Sequence, residues 1–209
     1  MKRVVSTLFC FFILFSFAGC TMQKSASINN NQSAPKIDNK VDPTAEKKAL
    51  LEKKAQQGYD LFFQKKYKEA IAMEDAVIKE DPSFYKAYYI KGITLCYNNN
   101  YDEGSANIDK SLTLKPDDYG ARFNKALSLE LYQHYSDAIV WYNKALEIEK
   151  GEWSYYGIAS IYGRRGDVEN TVKYLKYAIA INPNIKNEAK NEADFDPVKN
   201  SQEFKNILK

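Results

Sequence analysis

Histidine and cysteine are nearly absent from this 209-residue chain, which has one histidine, His134, and three cysteines, Cys10, Cys20 and Cys96. One imidazole and three scattered thiols cannot converge into a zinc site. The nine glycines never cluster into a phosphate-cradling loop, and no Walker pattern occurs. Charge of one sign is also missing, since the formal net charge is only +3. Removing residues 1–19 takes away Lys2 and Arg3 and leaves 28 basic against 27 acidic side chains. That balance gives no case for a nucleic-acid partner. Carboxylates are plentiful but scattered along polar helix faces, and the Asp117-Asp118 pair is explained by helix capping. Cys96 falls on a predicted inner helix and reads as a buried, inert thiol. No residue is nominated as catalytic, and neither a cofactor nor a metal is expected.

A long hydrophobic run is missing as well. The longest, Val4 to Ala18, spans about 15 residues, short of the roughly 20 that a transmembrane helix needs. With Lys2 and Arg3 before it and Ala18-Gly19 after it, the run has the three parts of a secretory signal. Phe17-Ala18-Gly19-Cys20 resembles the bacterial lipobox, with Phe17 in place of the usual Leu. The resemblance implies cleavage before Cys20, acylation of its thiol and membrane attachment through that residue. Two or more acyl chains make a stable anchor where one is marginal. Cys10 then leaves with the signal and Cys20 is blocked, so Cys96 has no partner for a disulfide and the fold must hold by packing.

Residues 20–41 are rich in Ser, Asn, Gln and Lys. They cannot bury enough apolar surface to offset ordering entropy, and they read as a disordered tether after the lipid. Asp42-Pro43 then opens a helix, with Asp as N-cap.

From there the chain repeats. Pro82 and Pro116 are 34 residues apart. So are Gly58, Gly92 and Ala126, and so are Ala70, Gly104 and Ala138. The spacing Ala138, Ile139, Tyr142, Ala145, Leu146 gives a helix with one apolar face. Segments rich in Asn, His, Arg and Gly separate the helices. These features resemble the tetratricopeptide repeat (TPR), a helix-turn-helix of 34 residues. The repeats fall at 51–84, 85–118, 119–151 and 152–185. In that pattern Gly58, Gly92, Ala126 and Ala159 sit where the first helix crosses the second, facing Ala70, Gly104, Ala138 and Thr171. Repeat 3 lacks the closing Pro and is one residue short. Residues 186–209 form a C-terminal cap, in which Phe195, Val198, Phe204, Ile207 and Leu208 cover the last repeat. Asn200 with Glu203 reads as a capping box. The expected fold is an all-α, right-handed superhelical solenoid of about four hairpins plus capping helices.

The resemblance also places a binding groove on the first helix of each hairpin. It assigns Tyr59 and Phe63 in repeat 1, and Lys86, Tyr89, Ile93 and Tyr97 in repeat 2. In repeat 3 it assigns Phe123, Leu127 and Leu131, beside Asn124 and Glu130, and in repeat 4 Trp153, Tyr156, Ser160 and Arg164. Tyrosine and tryptophan supply much of the binding energy at interfaces. A clamp for a terminal carboxylate would use Ala55, Tyr59, Ile90, Gly120 and Asn124, of which only Asn124 suits. An apolar or aromatic segment is the better match. The implied function is a lipid-anchored adaptor or scaffold for a protein or peptide partner in the bacterial cell envelope, outside the cytoplasm. The alternative is a sensor that takes a short peptide or small ligand in the same groove.

Overall fold

The computed structural model describes residues 43–209. The expected signal peptide (1–19), the lipidation site Cys20, the tether (20–41) and the Asp42 cap lie outside them. Ten α-helices and one 3-10 turn follow in order, with no strand among the described residues. Four hairpins pair α1 (Pro43–Phe63) with α2 (Tyr67–Glu80), α3 (Tyr85–Tyr97) with α4 (Tyr101–Leu114), α5 (Tyr119–Leu131) with α6 (Tyr135–Leu146), and α7 (Glu152–Arg164) with α8 (Val168–Ile181). The cap is α9 (Ile185–Asn191), the 3-10 turn Ala193–Phe195 and α10 (Gln202–Ile207). Odd-numbered helices pack on one another in sequence, and each even-numbered helix packs on the odd helix that follows it. The odd helices thus form a continuous row, the inner face. At 21 residues α1 is longer than the 13-residue α3, α5 and α7. Its first turns, Thr44 to Leu50, are exposed.

Each hairpin turns in the same way. Lys65, Asn99, Gln133 and Gly166 take positive φ, from 60° to 73°. At each turn the left-handed residue donates its N–H across the helix end, as Gln133 does to the Glu130 carbonyl. The next residue reaches further back, as in His134 to Leu129, Lys66 to Leu61, Asn100 to Leu95 and Asp167 to Tyr162. This paired closure satisfies carbonyls that a helix end would otherwise leave bare. Tyr67, Tyr101 and Tyr135 then start α2, α4 and α6 at the same 34-residue interval. The Tyr101 ring lies tilted against Tyr132, 4.4 Å away, and stacks on His134 at 5.8 Å.

The small residues lie where the helices of a hairpin cross. Ala70, Ala126, Ala138, Ala159 and Thr171 are fully buried. In repeat 2 the backbones nearly touch: a Cβ on Gly92 would stand 2.7 Å from the Gly104 carbonyl oxygen, and one on Gly104 equally close to the Gly92 oxygen. Repeat 3 has no closing Pro, and Gly151 caps α7 instead, where a Cβ would meet the Tyr119 ring at 2.7 Å.

Repeat 1 departs from this rule. Gly58 faces the carboxyl of Glu74 across the crossing. Glu74 occupies the place in α2 that Ile108, Tyr142 and Leu175 take in α4, α6 and α8, and it is fully buried. Neither of its oxygens has a hydrogen-bond partner among the described residues. Burial, with a smaller push from the Asp75 charge, raises its pKa from 4.5 to about 9.

The cap closes the far end. Ile185, Ala189, Phe195, Val198, Phe204 and Leu208 bury the face of α8 formed by Val172, Leu175 and Ala178, with Ile207 half-buried beside them. The N-cap of α10 is Ser201, whose Oγ accepts from the Phe204 N–H at 3.2 Å. The capping box expected on Asn200 is therefore displaced by one residue, because Ser201 has the extended backbone that a cap requires.

Two stability outcomes follow. Gly92→Ala or Gly104→Ala should cost about 1–3 kcal/mol by forcing the α3–α4 backbones apart, read as a lower midpoint in urea. Glu74→Leu should raise the melting temperature by roughly 5 °C or more at pH 8. Its folded pKa lies above its unfolded one, so the wild-type carboxyl weakens the fold progressively as pH rises from 4.5 towards 9. Below pH 4.5 it is protonated in both states, and there the advantage of the variant should shrink; a gain that is the same at pH 4 and pH 8 would contradict this.

Candidate functional site

The odd-helix row divides into two stretches of different chemistry. Over α1 and α3 it is aromatic and half-open. Tyr59 meets Phe63 edge-on at 4.8 Å, and Tyr97 meets Phe62 edge-on at 5.1 Å. Tyr89 joins Tyr59 against the cluster of Leu51, Ala55 and Ile90. Burial pushes the Tyr59 phenol up to about 12, with the Asn124 amide opposing. Tyr59, Phe63, Tyr89 and Tyr97 are therefore neutral rings, each only partly covered. Lys86 sits among them but is neutralised by Glu52 of α1, 2.7 Å away. Aromatic bodies with polar tips and little net charge suit an apolar or aromatic peptide segment.

Over α5 and α7 the row is polar and largely closed. Glu130 Oε2 accepts from the Tyr142 hydroxyl at 2.7 Å, and its Oε1 lies 3.1 Å from Ser160 Oγ. Ser160 also reaches Asp194 of the cap at 2.5 Å. Arg164 pairs with Asp194 at 2.6 Å and stands 3.9 Å from Glu130. Burial, first among several influences, lifts Glu130 to about 7. The Phe195 ring lies edge-on to Tyr156 at 5.6 Å.

Five residues expected to line an open groove are closed to it. Ile93 is fully buried with Phe62, Ala70 and Cys96. Asn124 is 2 % exposed, its amide turned back to the Gly120 carbonyl at 2.8 Å. Glu130 points into the polar network, while Tyr156 and Ser160, each 1 % exposed, lie beneath the cap. Trp153 is half-buried beside Tyr156, and Arg164 keeps about a third of its side chain exposed. Phe123 packs against Tyr142 at 5.7 Å, and Leu127 joins the cluster around Ile93 and Cys96. What remains partly accessible is the aromatic stretch Tyr59, Phe63, Tyr89 and Tyr97, with Lys86 at its edge, and further along the row Phe123, Leu127, Trp153 and Arg164.

Sequence reasoning missed Asp194 and Tyr142 as members of the polar network. Tyr142 read only as part of an apolar face, and nothing in the sequence pattern singled out Asp194. Cys96 is buried, and that burial pushes its thiol up to about 12, so it stays protonated. Among the described residues no group of three or more His, Cys, Asp or Glu is placed to hold a metal. No described helix is long and apolar enough to cross a membrane.

Residues 154–185 match the family described as tetratricopeptide repeat. The fold is a TPR solenoid. The matched segment covers α7, α8 and the junction to the cap. Solved structures share the arrangement at low sequence identity. One is PilW, a widely conserved type IV pilus biogenesis factor, with 17% identity over 76% of this chain and 78% of that one, at a TM-score of 0.59. Another is MamA, with 17% identity over 72% of this chain and 92% of that one, at 0.52. A third is a MamA fragment from Desulfovibrio magneticus RS-1, with 17% identity over 68% of this chain and 78% of that one, at 0.51. These likenesses concern the TPR fold. No curated protein matches the sequence.

Proposed function

We propose that this protein is a non-enzymatic adaptor that holds a segment of a partner protein along the inner face of repeats 1 and 2. The observation that carries the reading is the row of half-open tyrosine and phenylalanine rings on α1 and α3, Tyr59, Phe63, Tyr89 and Tyr97. Such rings provide large contact area at low entropic cost. With Lys86 neutralised by Glu52, the stretch favours an apolar or aromatic segment over a charged one. The reading extends to the N-terminal pattern: the charged start, the apolar run and Ala18-Gly19-Cys20 support export and lipid attachment at Cys20, which would place the solenoid on the outer side of a bacterial membrane.

In-cell crosslinking followed by mass spectrometry tests the groove. Tyr59→Ala with Tyr89→Ala should abolish the principal crosslink. Val140→Ala with Tyr177→Ala, at exposed positions on α6 and α8, should leave it intact. Loss with the second pair and retention with the first would place the contact elsewhere. Attachment is tested separately: Cys20→Ser should eliminate incorporation of labelled palmitate and release the protein from the membrane fraction. Persistent labelling would refute lipidation at that residue.

A further inference from the structure

The polar groups that join α5, α6 and α7 to the cap are one proton short if both carboxylates are charged. Ser160 Oγ lies 3.1 Å from Glu130 Oε1 and 2.5 Å from Asp194 Oδ2. A hydroxyl carries one hydrogen and can donate to only one of them. Its lone pairs would then face the other carboxylate, at a site where Glu130 and Asp194 are each only 8 % exposed. One added proton removes the conflict. Arg164 decides where that proton goes. Its Nη2 is 2.6 Å from Asp194 Oδ2 and 3.9 Å from Glu130 Oε1, so the cation pairs with Asp194 and leaves the proton to Glu130.

The chain then runs in one direction. The Tyr142 hydroxyl donates to Glu130 Oε2 and Ser160 donates to Asp194, which pairs with Arg164, and a proton on Glu130 Oε1 would donate to Ser160 Oγ across the 3.1 Å between them. The groups facing Glu130 are Tyr97 of α3, Tyr142 of α6, Tyr156, Ser160 and Arg164 of α7, and Asp194 of the cap, with Glu192 beside Asp194. Of these only Arg164 is cationic, and it is committed to Asp194.

We propose that the C-terminal segment Glu192–Leu208 is a proton-held clamp on repeat 4, docked while Glu130 is protonated and loosened locally when Glu130 ionises. Loosening would uncover Tyr156 and Ser160 and lengthen the inner face beyond repeats 1 and 2. The clamp adds to the adaptor reading, and its test needs no partner, so either can fail without the other. The direction of the effect follows from Glu130. Burial lifts its docked pKa to about 7, against opposition from Tyr142 and Arg164, with the Asp194 charge adding to the rise. An acid whose pKa is raised by docking favours the docked form at low pH, and that contribution is lost as pH climbs through about 7.

Hydrogen exchange of the full chain between pH 5 and pH 8, corrected for the intrinsic pH dependence of exchange, reads the clamp directly. In the wild type, protection of peptides within 192–209 should fall about tenfold or more across that range, a fall that Glu74→Leu should leave in place. Glu130→Gln cannot ionise, yet its amide can donate to Ser160 and accept from Tyr142, so it should keep the low-pH protection at pH 8. Tyr142→Phe removes a donor that favours the ionised carboxylate, so it should move the midpoint to higher pH. A flat wild-type profile would overturn the proposal. So would an equal fall in Glu130→Gln, or a Tyr142→Phe midpoint that stays put or moves down.

Discussion

The close crossing of helices over small residues, tightest between Gly92 and Gly104, is the constraint on which the rest of the molecule depends. Gly92 and Gly104 meet with almost no side-chain volume between them, and Ala126 with Ala138 and Ala159 with Thr171 fill the equivalent space with a methyl or little more. Held that closely, two helices bury one shared face and leave another apolar face bare, which only the next hairpin can cover. The identical turns at Lys65, Asn99, Gln133 and Gly166 keep the geometry constant from one hairpin to the next. The row of odd helices, and so the inner face, is a consequence of that repetition.

Because the geometry repeats, departures from it stand out, and two of them are buried acids. Glu74 takes the place of an apolar residue in the first hairpin, and Gly58 provides the room for its carboxyl. Glu130 enters a hydrogen-bonded chain between the third hairpin, the fourth and the cap. The two differ in how they are satisfied. Glu130 has a donor on one oxygen and a hydroxyl on the other, whereas Glu74 has neither among the described residues, which leaves the first hairpin carrying a buried polar group without a partner there. The ends of the solenoid are therefore unequal: the N-terminal hairpin holds a bare carboxyl in its core, and the C-terminal one is sealed by Phe195, Val198 and Phe204.

Much of the fold was legible in the residues. A 34-residue spacing of Gly58, Gly92 and Ala126 reports side-chain size at a fixed phase, and size at a helix crossing is a local requirement that sequence shows directly. The apolar residues of the cap were legible for the same reason. The site was legible only in part. Tyr59, Tyr89 and Tyr97 lie on the inner face with their rings half-open, but Ile93, Asn124, Tyr156 and Ser160 are closed. Helical phase tells which way a side chain points and says nothing of what folds back over it. A glutamate in mid-helix reads as solvated, so Glu74 gave no signal. The displaced cap at Ser201 shows the same limit at the scale of one residue, since Asn200 and Ser201 are both acceptable caps and only the backbone path chooses between them.

Taken alone, the amino-acid sequence determined the helical class, the hairpin period, the positions that must stay small and the aromatic character of α1 and α3, because each depends on residues close together in the chain or on a strict repeat. The tertiary structure decided which inner residues remain open, that Glu74 is enclosed, and that Glu130, Ser160, Arg164 and Asp194 share one network. Those outcomes depend on groups as far apart in the chain as Glu130 and Asp194 being brought within a few ångströms, and no local pattern encodes that approach.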